Sequence, residues 1–120
     1  MITACEMGFK TICLGGTIDL TNFSSSGIDT VNEIKKYFAD IVFFSSGGLS
    51  NDGFLTDNDK NNSLIRTALM QQSRIKVFMV DNSKLDKRLT YGICSLSDVD
   101  YCFCNTPLPE DLQNMIKKHN

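Results

Sequence analysis

Apolar residues along this chain follow two spacings in turn. Short runs rich in β-branched and aromatic residues occur at FKTICL (9–14), DIVFFS (40–45), RIKVFMVD (74–81) and VDYCFCN (99–105). Such nearly continuous runs predict strands buried on both faces of a sheet. Between them the spacing becomes helical. GIDTVNEIKKYFAD (27–40) places Ile28, Val31, Ile34, Tyr37 and Phe38 on one face, and NSLIRTALMQQS (62–73) does the same with Leu64, Ile65, Ala68 and Leu69. PEDLQNMIKKH (109–119) predicts a closing helix: Pro109 suits its first turn, Glu110 and Asp111 its positive end, and Lys117 and Lys118 its negative end. Residues 2–7 have room for one or two helical turns at most. The order strand–helix–strand–helix–strand–strand–helix predicts an α/β protein, a mostly parallel sheet with flanking helices.

In a sheet of that kind, ligands bind where the strands end at their carboxyl side. Three such ends carry small or polar residues: LGGT (14–17), SSGG (45–48) and VDNSK (80–84). Glycines there let backbone N–H groups approach an anion with no Cβ in the way. Ser45, Ser46 and Thr56 offer hydroxyl donors, Lys84 offers charge for a phosphate, and Asp81 can orient it or accept from a sugar hydroxyl. Each stretch also has a plain reading as a turn, with Gly48 and Gly53 at positive φ and an Asx-type turn at Asp81. LGGT lacks the third glycine and the strand–helix setting of a dinucleotide fingerprint.

Composition narrows the function. The 120 residues suit one domain, with 42% hydrophobic and 22% charged positions. A net charge of -2 argues against a nucleic-acid-binding surface, which needs clustered Lys and Arg. No apolar run approaches the length of a membrane span, and MITACEMGFK lacks the basic start and apolar stretch of a signal peptide. Five cysteines, Cys5, Cys13, Cys94, Cys102 and Cys104, have no disulfide spacing and indicate a reducing, cytoplasmic setting. Cys13, Cys102 and Cys104 read as small hydrophobes within apolar runs. Cys102 and Cys104 share a strand face, but no second Cys or His pair accompanies them, and His119 lies in a charged tail, so neither metal nor cofactor is expected. No catalytic motif assigns a nucleophile and base. Asp40, Asp57, Asp81 and Asp98 are candidate bases in residue type only.

The ordered blocks resemble a known family. LGG (14–16), Gly27 with its helix to Asp40, DIVFFSSGGLSNDGFLT (40–56), RTALMQQSRIKVFMVDNSK (66–84) and LSDVDYCF (96–103) are together similar to the C-terminal sensor domain of DeoR-type bacterial transcriptional repressors of sugar metabolism. The resemblance covers residues 2 to about 112. It implies a partial ribose-5-phosphate isomerase-like (Rossmann-like) fold and a single sugar-phosphate sensor domain over residues 1–120. It further implies a phosphorylated sugar effector bound by Ser46, Gly47, Gly48, Gly53, Thr56, Asp81, Ser83 and Lys84, with Lys84 as the foremost contact and Asp81 holding the loop. DNA would be bound only through an N-terminal helix-turn-helix that these residues do not include. Asn62–Ser63 stand where the family has Glu-Ala, and Cys104–Asn105 where it has Thr-Asp. The family's first sensor strand and its glycine–threonine turn have no counterpart here, so the chain reads as an N-terminally shortened domain. An uncovered sheet edge predicts association, a homodimer first. Sensing without catalysis is the leading expectation. The alternatives are an isomerase-like enzyme and a dimerisation module with a degenerate site.

Overall fold

A computed structural model describes residues 1–117. Its elements run α1 (Ile2–Glu6), β1 (Thr17–Ile18), β2 (Ser25–Ser26), α2 (Ile28–Ile34), β3 (Ala39–Phe44), β4 (Gly48–Leu49), β5 (Phe54–Asp57), α3 (Lys60–Gln71), β6 (Ser73–Val80), β7 (Tyr91–Ser95), β8 (Tyr101–Cys104) and α4 (Glu110–Met115), with single 3-10 turns at 82–84 and 96–98. β3, β6 and β8 form a parallel sheet with β6 at its centre, in register Phe44 with Phe78 and Val80 with Cys104. β4, β5 and β7 form a separate antiparallel sheet, and β1 and β2 a two-stranded ribbon. The chain is thus a mixed α/β structure, its parallel sheet flanked by helices, compatible with a Rossmann-like sensor domain.

The core lies between the two larger sheets. Val42, Phe44, Phe78 and Val80 point into it from the parallel sheet, Leu49 and Leu55 from the antiparallel one, and Met70 from α3. Leu96, Val99, Leu108 and Leu112 close it. The Phe44 and Phe78 rings meet at 5.4 Å between centroids. α3 starts at Asp59, whose carboxylate accepts from the Asn62 N–H at 3.1 Å, and packs against β5, β6 and β7 together. That setting between two sheets explains why Ser63, Ala68 and Met70 are buried on α3 while Leu64 is exposed, unlike the single face predicted.

Several expectations need correction. FKTICL (9–14) is not a strand. It joins no ladder, and Phe9, Ile12 and Cys13 are exposed; Ile12 and Leu14 instead lie by a cavity with Ile34, Tyr37 and Leu69. An apolar run signals burial, but a strand also needs a neighbour for its N–H and C=O groups. α2 ends at Ile34 rather than 40, because Tyr37 N–H already bonds back to the Ile34 carbonyl and Ala39 N–H is taken by Gln72. Ile28 faces outward. The antiparallel sheet was not foreseen. Nor is the parallel sheet covered on both faces: Ile41, Phe43, Met79, Tyr101 and Phe103 are exposed. α4 ends at Met115 rather than 119, with Ile116 already extended. Lys118 and His119 lie outside the described residues.

Candidate functional site

The sequence motifs SSGG and DNSK follow neighbouring parallel strands, β3 and β6, at their carboxyl ends. The segment after β6 then runs back alongside β4. Leu49 and Leu85 form a parallel bridge, and Lys87 N–H donates to the Leu49 carbonyl at 3.2 Å. A Cβ on Gly48 would stand 2.7 Å from the Lys87 carbonyl oxygen. Glycine is required there by close approach of the 81–87 segment. At the third strand end, Asn82 N–H donates to Asn105 Oδ1 at 2.7 Å, and Asn105 Nδ2 returns a bond to Asn82 Oδ1 at 3.1 Å. The carboxyl ends of β3, β6 and β8 are therefore tied into one edge.

The predicted residues divide into two groups. Ser46, Gly48, Gly53 and Thr56 are buried and spent within the protein. Ser46 Oγ donates to the Gly48 carbonyl at 2.9 Å, and Thr56 Oγ1 accepts from Leu89 N–H at 2.9 Å. Gly53 has φ of 86°, sits under Met115 and turns β4 into β5. These four shape the loop. Gly47, Asp81, Ser83 and Lys84 are accessible to different degrees: Gly47 and Lys84 are half-buried, Asp81 and Ser83 exposed. Asp81 accepts from the Ser83 N–H at 2.8 Å and from its hydroxyl. Those two bonds hold the Asp81 carboxyl below the usual carboxylate range, and the charges of Lys84 and Lys87 add to the effect.

One pair escaped the sequence reading. Asp57, buried at the end of β5, receives Arg66 of α3 at 2.5 Å and the Asp59 N–H at 3.0 Å. Its Oδ2 lies 3.4 Å from where a Gly47 Cβ would be. Asp57 therefore sits directly beneath the SSGG turn, bonded to Arg66, whose side chain is 23% exposed. Asp57 is a candidate carboxylate by residue type, but its partner carries no signal of its own, because Arg66 sits in a helix that also holds Lys60, Asn61, Asn62 and Gln71. The LGGT turn is held elsewhere, by Thr30 Oγ1 donating to the Gly15 carbonyl at 2.6 Å. The cavity of about 420 Å³ between β8 and α4, lined by Cys102, Thr106 and Gln113, includes none of the eight predicted residues. Burial pushes the Cys94 thiol up to about 12 and the Cys102 thiol up to about 11, so both stay protonated at neutral pH.

A family model described as the DeoR C terminal sensor domain matches residues 2–106. The chain belongs to that family. Its DeoR-family relatives include an "uncharacterized HTH-type transcriptional regulator" of Haemophilus influenzae, 31% identical over 88% of this chain and 41% of the relative. The glycerol-3-phosphate regulon repressor of Escherichia coli is 24% identical over 93% of this chain and 44% of the relative. The L-fucose operon activator of Haemophilus influenzae is 22% identical over 92% of this chain and 45% of the relative. This DeoR sensor domain thus spans less than half the length of the regulators it matches. No helix among the described residues is long and apolar enough to cross a membrane.

Proposed function

We propose that this DeoR-type domain senses a phosphorylated sugar or sugar-like metabolite at the carboxyl ends of β3 and β6, and that occupancy is relayed to a DNA-binding region. The observation that carries the reading is the joining of SSGG and DNSK into one edge by the Leu49–Leu85 bridge and the contact between Gly48 and Lys87. Cations gather there. Lys84 and Lys87 both act on Asp81, and Arg66 is bonded to Asp57, whose carboxylate lies under Gly47. Small residues, backbone N–H groups and lysines at parallel strand ends suit an anion. The names of the relatives, one for glycerol-3-phosphate and one for L-fucose, support a small polyol or sugar with a phosphate as effector.

The reading is of binding without chemistry. A general base must be poised near neutral pH, whereas Asp81 is shifted the opposite way and Asp57 is engaged by Arg66. The relay is a population shift: ligand at the edge favours whichever arrangement it binds more tightly.

A thermal-shift panel tests this, with glycerol 3-phosphate and phosphorylated pentoses and hexoses against glycerol, L-fucose and the other free sugars. Stabilisation by a phosphorylated member alone is expected. Lys84→Ala should weaken that ligand by about 1.5–3 kcal/mol, roughly 10- to 150-fold. Equal response to free and phosphorylated forms, or unchanged affinity in Lys84→Ala, would refute the assignment.

A further inference from the structure

β6 breaks its own pattern on the side that faces the core. Phe78 and Val80 point inward from its carboxyl half. On the same alternation, two residues before Phe78, stands Lys76, beside the buried Val42 of β3. Lys76 is half-buried, and among the described residues its ammonium has neither a hydrogen bond nor an ion pair. An ammonium drawn partly out of water with no carboxylate beside it costs stability, so the core by itself gives no reason for a lysine there. Lys76 lines a cavity of about 300 Å³ between α3, β6, β7 and the 96–98 turn. The position lies about 13 Å back along β6 from Val80, towards the end of the sheet opposite SSGG and DNSK.

We infer that this cavity is a second ligand site, one for a small hydroxycarboxylate. Charge is the first argument. Lys117 also lines the cavity, and its ammonium too has no hydrogen bond or ion pair among the described residues. Asp98 is the one carboxylate on the described lining. Two ammoniums against one carboxylate leave about +1 at neutral pH. A carboxylate monoanion neutralises that charge. A phosphate monoester, at about -1.5 to -2, overshoots it beside Asp98. Hydrogen bonding is the second argument. Asp98 accepts from the Ser95 N–H at 3.2 Å through Oδ2, which leaves Oδ1 to accept from a ligand hydroxyl. Gln71 brings an amide that can donate and accept, and Ile93 an apolar wall for the carbon chain. Cys94 lies close to Asp98 and stays a neutral thiol, because burial raises it and the Asp98 charge raises it further. Size is the third argument. About 300 Å³ is the lower end of ligand pockets, ~300–1,000 Å³, which suits a chain of a few carbons. The inference does not rest on the strand-end site.

Amide shift mapping of the labelled 120-residue chain tests it, with sodium D-gluconate as the probe at constant ionic strength. Gluconate should move the amides of Gln71, Lys76, Cys94 and Asp98 and saturate at millimolar concentration. Sorbitol lacks the charge, propionate lacks the hydroxyls, and inorganic phosphate carries too much charge, so each should bind there at least about 10-fold more weakly. Lys76→Met keeps the length of the side chain and removes its charge. It should weaken gluconate by at least about 10-fold and raise the thermal midpoint, because an unpaired ammonium leaves the core-facing alternation. A lysine that only covers apolar surface with its stem would leave gluconate affinity unchanged on substitution. Should Lys76→Met not fold, Lys117→Ala, at an exposed position, decides with the same loss of affinity expected. No saturable shift with gluconate, equal binding of any control, shifts confined to residues 45–48 and 81–84, or full affinity in a folded variant would each overturn the inference.

Discussion

Asp81 shows how a single side chain links fold and site. Its carboxylate caps the turn after β6 by accepting twice from Ser83, and it faces Lys84 and Lys87 across the same loop. Its folded-state pKa is lowered. The stabilisation it brings is therefore full above the unfolded value of about 3.9 and fades as pH falls through the lower folded value. An NMR titration should find Asp81 ionising below the ordinary aspartate range, and Ser83→Ala should return it upward, since Ser83 is the largest cause. Titration of Asp81 at or above the ordinary value would refute this role. The residue scale also shows what the sequence displays and what it hides. DNSK announces its Asx-type turn by residue type. The Asp57–Arg66 pair announces nothing, because its meeting depends on how α3 lies across β5.

At the scale of elements, apolar runs marked β3, β6 and β8 to within two residues or so at their ends, since a parallel strand in a core needs such a run on the inner face at least. The same signal failed at FKTICL, where the run finds no ladder. It also missed β4, β5 and β7. Gly48–Leu49 is too short to show a period, β7 contains Gly92, and the pairing of β5 with β7 slips in register at Leu55–Thr56. The loops depend on those missed strands, since β4 receives the segment after β6. Gly48→Ala tests that dependence. Its Cβ would meet a backbone oxygen rather than a yielding side-chain tip, so the 85–90 segment must shift. A loss of about 1–3 kcal/mol is expected in the denaturation midpoint, with faster amide exchange at Lys87. Unaltered stability and exchange would show that the two loops are not joined as described.

For the whole molecule, the ordered set of blocks made the family legible, and the family model over residues 2–106 establishes it. The open face of the parallel sheet was not legible, because apolar runs look alike whether one face or both are covered. The sheet order explains the rest. β3 and β6 lie side by side with their carboxyl ends together, so two motifs far apart in sequence meet at one edge. The central claim is that this edge binds a phosphorylated metabolite. The most direct measurement is amide chemical-shift mapping of the isotopically labelled chain titrated with the phosphorylated ligand and, separately, with its free sugar. The account predicts that the phosphorylated form alone moves the amides of residues 45–48 and 81–84, and that Lys84→Ala abolishes the movement at matched concentration. Shifts centred on the cavity between β8 and α4, or equal shifts with the free sugar, would contradict it.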